Sequence, residues 1–185
     1  DAGTATFVSA PAAASTAEHL GPFCYGTDGS GAENLIVPAG GFRTPCDAST
    51  SRETTDAHGN CRTPQNLFMN GAEVFAFALK RVPRLVTQML EKAECTAEEV
   101  DHFVFHQANR YMLDTLRKKC KIPVEKLQVC LENTGNTVSA SIPIALCKLQ
   151  QQGKLQPGDR LMLVGFGVGY SWGATLVRWT GAGVD

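Results

Sequence analysis

Apolar residues recur at three- and four-residue steps from Gly71 to Lys92, at Val74, Phe75, Ala78, Val82, Leu85, Val86, Met89 and Leu90. That period is the stripe of an amphipathic helix. Pro83 falls inside the stripe, and a proline interrupts the backbone ladder, so the pattern predicts a kink or two abutting helices. Downstream the period switches repeatedly. Val100–Phe105, Leu127–Leu131, Arg160–Phe166 and Trp172–Trp179 read as strands, with helices at Gln107–Lys119 and Ser139–Gln151 between the first three. Pro143 suits the first turn of its helix, and Gly153 with Pro157-Gly158 ends it. Strand–helix alternation of this kind implies right-handed crossovers and a mainly parallel sheet covered on both faces, an α/β architecture.

Upstream the pattern is weak. Residues 4–10 read as a short strand, and 11–66 as a turn-rich connection holding much of the proline and glycine. Its Gly26-Thr-Asp-Gly-Ser-Gly31 is not followed by a helical pattern, so it reads as a loop and not as a phosphate cradle.

Bulk properties then narrow the class. The chain has 185 residues, 43% hydrophobic, 19% charged, with a net charge of −1. It is long enough for one cored domain, and nothing in its charge argues for a nucleic-acid partner. No apolar run approaches the roughly 20 residues of a membrane helix, so no membrane partner is expected. The first residues, Asp-Ala-Gly-Thr-Ala-Thr-Phe-Val, read as an interior strand cut open, so a fragment is expected. Seven cysteines without paired spacing suit reduced thiols. Cys130 and Cys147 are expected to serve as small buried hydrophobes. Cys46, His58 and Cys61 lack a fourth ligand for zinc, so no metal is expected.

Two polar residues stand at equivalent places. His106 follows one strand and Asn136 the next, each at the entrance to a helix, where ligands gather on open α/β sheets. Either residue alone also fits a structural role, Asn136 as a helix cap or turn residue. Together their side chains are expected to converge on one small volume. The run Gly165-Phe-Gly-Val-Gly169 joins two strands and has Tyr170 where a dinucleotide fingerprint ends in glycine, so nucleotide binding is not expected. Two readings remain for it: a tight turn, or flat backbone that lets N–H groups approach a ligand.

Phe105-His-Gln-Ala-Asn109, Gly135-Asn-Thr-Val-Ser-Ala-Ser141 and Gly165-Phe-Gly-Val-Gly-Tyr-Ser-Trp-Gly173 together resemble the second half of β-ketoacyl-acyl carrier protein synthase III, a condensing enzyme. Asn70-Gly-Ala-Glu-Val-Phe75 and Asp1-Ala-Gly3 extend the likeness backward. The resemblance implies a thiolase-like fold: the C-terminal half, a mainly parallel mixed sheet layered with helices, over residues 1–185. Within it 11–66 would be a loop-rich insertion and 180–185 a tail. It implies decarboxylative condensation of an acyl-cysteine, primed from acyl-CoA, with malonyl-acyl carrier protein in fatty acid biosynthesis. The coenzyme A thioester is substrate, and no further cofactor is implied.

By the same resemblance His106 and Asn136 donate to the malonyl thioester carbonyl, and the Val168 N–H serves the acyl-cysteine oxyanion. Phe166 packs near the active cysteine, while Gly71, Phe75, Ala108, Asn109 and Met112 line a pantetheine tunnel. The nucleophilic cysteine would belong to a missing N-terminal half, leaving this chain inactive alone. A cytoplasmic homodimer is also implied. Helix Ser139–Gln151, apolar around most of its circumference, is expected to bury against that half or another chain. Arg110 and Tyr111 depart from the family's usual placing of a basic residue two after the motif asparagine, and Val168 stands where fatty-acid enzymes carry glycine. The cluster Arg117, Lys118, Lys119 and Lys121 either greets an acidic carrier protein or complements a helix C-terminus. Two other readings remain, an acyltransferase of secondary metabolism and a non-catalytic partner subunit. Asn136 argues against the first, and His106 with Asn136 against the second.

Overall fold

The computed structural model describes residues 2–8 and 19–181. Its elements run β1 (Leu20–Thr27), β2 (Leu35–Ile36), β3 (Thr54–Thr55), β4 (Cys61–Arg62), β5 (Phe68–Met69) and α1 (Gly71–Lys92). Then follow β6 (His102–Phe105), α2 (Arg110–Lys119), α3 (Ser141–Gln151), β7 (Arg160–Gly167) and β8 (Ser171–Arg178). The chain divides into two compact units. One comprises the described residues of Asp1–Gly26, Ala78–Phe166 and Trp172–Asp185, the other Thr27–Phe77 and Gly167–Ser171.

The larger unit is built on a sheet of order β1-β8-β7-β6. β6 and β7 are parallel, with His102 opposite Leu161 and Phe105 opposite Val164. β7 and β8 are joined by a three-residue turn, which only antiparallel neighbours allow, so the sheet is mixed. Phe103, Val104 and Phe105 are all fully buried, as a strand covered on both faces requires. Val104 packs in a cluster with Ala145 and Leu149 of α3, Cys130, Leu155 and Leu161. Phe103 and Phe105 point to the opposite face, edge to face at 6.4 Å. Trp172 of β8 lies against β1 at Gly26, where a Cβ would fall inside the indole, and under the Arg81 guanidinium at 5.0 Å.

In the smaller unit a 3-10 turn (Gly29–Asn34) leads into two short antiparallel ribbons, β2 with β5 and β3 with β4. Asp47 closes a loop by accepting from the backbone N–H groups of Ser49 and Thr50, each at 2.8 Å. Tyr170 stacks on Phe77 at 4.0 Å, and its backbone exchanges hydrogen bonds of 2.7 and 2.8 Å with Asp28. Gly31 lies flat against the same tyrosine ring, with no room for a side chain.

Several expectations are corrected. Residues 4–8 form no strand, and 9–10 lie outside the described residues. The weakly patterned stretch 11–66 contains the eight-residue strand β1, which turns small residues inward and Phe23 and Tyr25 outward and so lacks apolar alternation. α1 is one continuous helix through Pro83, because Val82, Leu85 and Val86, at most 3% exposed, pin it on both sides of the missing N–H. Leu127–Leu131 is not a strand: only Leu127 makes a bridge, to Phe103. Cys147 is exposed, because it turns away from the α3 face that Ala145 and Leu149 bury, whereas Cys130 is buried as expected. α3 begins at Ser141 after a 3-10 turn at Val138–Ala140, and it lays one face on its own sheet.

Candidate active site

His106 stands one residue past β6. Its backbone N–H continues the parallel ladder to the Val164 carbonyl at 2.8 Å, so the sheet itself fixes where the imidazole begins. The ring meets the edge of Phe166 at 5.5 Å and 83°. Its Nδ1 lies 2.8 Å from the Ser141 hydroxyl. Burial pushes the imidazole below its ordinary value of 6.5, while the Val138 carbonyl pulls weakly the other way. The ring is therefore neutral near pH 7.

Gln107 explains why the neighbouring segment is not a strand. Its side chain is 2% exposed. The amide nitrogen donates to Phe105 O at 2.7 Å and to Gln128 O at 3.2 Å, and the amide oxygen accepts from Cys130 N at 2.8 Å. Bonding to residues 128 and 130 is what the peptide of a parallel neighbour would do. A side-chain amide has taken the place of a backbone peptide, and the ladder that begins at Phe103 and Leu127 continues through it. The segment is thus held firmly without joining the sheet.

Asn109 caps α2, its Oδ1 accepting from Met112 N at 2.8 Å, and this starts the helix three residues later than the pattern predicts. Met112 is buried, 5% exposed, in the core. Of the basic cluster, Arg117 and Lys118 pair with Asp114 at 2.9 and 2.7 Å, and Arg117 also reaches the Ile122 carbonyl. A cleft of about 530 Å³ opens beside α2, walled by Arg110, Tyr111, Val124 and Val129, and none of the expected tunnel residues lines it. Arg110 also pairs with Glu132.

The Asn136 loop is shaped by Gly135, whose φ of +61° suits glycine. Asn136 is exposed, and its Oδ1 accepts from Val138 N at 2.9 Å. Because an N–H can only donate, that contact assigns the oxygen and leaves the amide NH2 as the donor end. Val138 itself holds φ +54°, a left-handed conformation that a β-branched residue rarely adopts. The hydroxyl of Thr137 is buried with no hydrogen-bond partner among the described residues.

His106 is thus brought together with Phe166 and, through Ser141 and the Val138 carbonyl, with the segment that carries Asn136. Ala108 lies on the short turn between β6 and α2. Val168 belongs to the smaller unit, where the residue is exposed at the β7–β8 turn and its carbonyl accepts from the Ser171 hydroxyl at 2.9 Å. Gly71 and Phe75, at the start of α1, belong to that unit as well. Sequence reasoning missed Gln107, Ser141 and Val138. A polar amide between a strand end and a capping asparagine was the one signal for Gln107. Burial pushes the Cys95 and Cys130 thiols up from their ordinary range and Cys120 to about 12.

Residues 90–179 match the family model for the C-terminal domain of 3-oxoacyl-[acyl-carrier-protein (ACP)] synthase III. The chain is 40% identical over 162 residues to a β-ketoacyl-[acyl-carrier-protein] synthase III of Thermosynechococcus vestitus, covering 88% of this chain and 43% of that protein. It is 39% identical to one from Clostridioides difficile, covering 84% and 44%. Among solved structures, a 3-oxoacyl-(acyl-carrier-protein) synthase III superposes with a TM-score of 0.88 at 54% identity, over 91% of this chain and 50% of that one. The synthase III of Pseudomonas aeruginosa does so with a TM-score of 0.72 at 30% identity, over 94% and 48%. The chain spans about half the length of the curated relatives it matches.

Proposed function

We propose that this chain, which belongs to the 3-oxoacyl-[acyl-carrier-protein] synthase III family, is the C-terminal half of a condensing enzyme whose enolate-stabilising donors are His106 and Asn136. The observation that carries the reading is the pair of fixed polar ends. Asn136 spends its oxygen on Val138 N and keeps its NH2 as the donor end, and a neutral His106 is held at Nδ1 by the Ser141 hydroxyl. Neutral donors suit an oxygen that becomes negative during reaction, since their worth is greatest in the transition state.

In the proposed reaction the carboxylate of malonyl-acyl carrier protein leaves as carbon dioxide. The electron pair of the broken bond moves into the thioester as an enolate, whose oxygen takes the two hydrogen bonds. The α-carbon then attacks an acyl-cysteine, and the thiolate leaves. The acyl group comes from acyl-CoA, and the nucleophilic cysteine from the N-terminal half. Upward-shifted thiols at Cys95, Cys120 and Cys130 suit none of them to that role, because the thiolate is the nucleophile. The Val168 N–H serves the acyl-cysteine oxyanion, Phe166 packs near that cysteine, and Gly71, Phe75, Ala108, Asn109 and Met112 border the pantetheine arm. The complete enzyme is a cytoplasmic homodimer.

Asn136→Asp tests the assignment in an enzyme that supplies both halves. It replaces a donor by a carboxylate facing a developing enolate. Release of carbon dioxide from malonyl-acyl carrier protein is expected to fall by roughly 100–1,000-fold, the cost of one lost oxyanion donor. Transfer of the radiolabelled acyl group from CoA to the cysteine is expected to survive. Equal loss of both half-reactions in a folded variant would remove Asn136 from the enolate site.

A further inference from the structure

We infer that Ser141 is a positioning residue that sets the tautomer of His106, its hydroxyl donating to Nδ1 so that the ring proton sits on Nε2. The inference rests on the condensing reading for its consequence, but its geometry stands apart. Ser141 is the first residue of α3 and only 2% exposed. Its oxygen lies 2.8 Å from Nδ1 and also 3.3 Å from the Gln107 backbone N–H, which can only donate to it. A hydroxyl carries one proton. With its oxygen already accepting from Gln107, the proton is directed at Nδ1, the other polar atom among the described residues that lies within bonding distance of it. Were Nδ1 protonated instead, the oxygen would receive two donors, and its own proton would need another acceptor in a nearly water-free position, which is costly.

The arrangement makes one chain of dependence. The helix start fixes Ser141, Ser141 fixes the ring nitrogen, and the ring then offers an N–H from its far side. Phe166, edge-on to the imidazole, limits its rotation. The Val138 carbonyl also faces the ring, and the competing arrangement is Nδ1–H donating to Ser141 Oγ.

Long-range proton–nitrogen spectra of this chain, with 15N in its histidines, distinguish the two arrangements. The His106 signals are assigned by their loss in His106→Asn. Wild type is expected to show a single tautomer with Nε2 protonated. Ser141→Ala should give a mixture, and Ser141→Thr, which keeps the hydroxyl, should restore the single form. In an enzyme supplying both halves, Ser141→Ala should slow malonyl decarboxylation about fivefold, the equivalent of one ordinary neutral hydrogen bond, with recovery in Ser141→Thr. A wild-type spectrum with Nδ1 protonated overturns the inference, as does an unchanged tautomer in Ser141→Ala. Wild-type enzyme that releases no carbon dioxide from a malonyl thioester would overturn the condensing reading alone, since the spectra judge Ser141 independently.

Discussion

Replacing Gln107 by leucine keeps side-chain volume and removes the amide that stands in for a peptide. Three contacts go: the donations to Phe105 O and Gln128 O, and the acceptance from Cys130 N. Water cannot reach the vacated place, because Gln107 is 2% exposed and Gln128 and Cys130 are themselves buried. An orphaned buried backbone group costs about 1–3 kcal/mol, and the added apolar surface of leucine returns part of that. With Phe105 O, Gln128 O and Cys130 N as the three groups stranded, each near the lower end of that range, the net loss is about 3 kcal/mol. At a urea dependence of about 2 kcal/mol per molar, the midpoint should fall by about 1.5 M with its slope unchanged. Exchange of the Cys130 amide proton should accelerate by a similar free energy. Gln107→Glu should be worse, since it aims a carboxylate at two carbonyls. A midpoint within about 0.4 M of wild type, or a glutamate variant as stable as wild type, would refute the account of Gln107 as a peptide surrogate.

Two other perturbations are direct. Gly31→Ala should displace the Tyr170 ring from Phe77 and cost about 2 kcal/mol, read as a lost near-ultraviolet tyrosine signal and a lower urea midpoint; an unchanged signal contradicts the close approach. Because burial holds His106 below its unfolded value of 6.5, the unfolded chain binds the extra proton first, and stability should drop as pH falls from 6.5 through the lower folded value. Denaturant titrations of wild type and His106→Asn between pH 7.5 and 5 should show that component vanish in the variant; parallel curves would contradict it.

Long periodic segments were legible in the sequence because their cause is local. α1 was found at its observed limits, since eight apolar positions on one stripe outweigh a single proline. β7 and β8 were placed to within a residue or so. Where a side chain replaces backbone, the pattern misled. Leu127–Leu131 has the composition of a strand, and only the fold reveals that Gln107 occupies the place of its neighbour. β1 was missed for the opposite reason: its inward positions are Pro22, Cys24 and Gly26 while Phe23 and Tyr25 face outward, so its sequence carries no apolar alternation. For the site, His106 and Asn136 stood out as polar residues at strand ends. Ser141 did not, because a serine at a helix start has an ordinary local explanation that conceals a contact 35 residues away in sequence.

Val138 sets stability against orientation. A valine held at φ +54° strains the backbone by about 1–3 kcal/mol, and glycine would relieve most of it. Yet the same backbone bend brings Val138 N to Asn136 Oδ1 and its carbonyl to the His106 ring. A screen that rewards only thermal tolerance would therefore favour a more yielding residue here and loosen the asparagine amide in the process. The loop behaves as a set spring, and substitutions that let it relax are the ones to avoid when stabilising this protein.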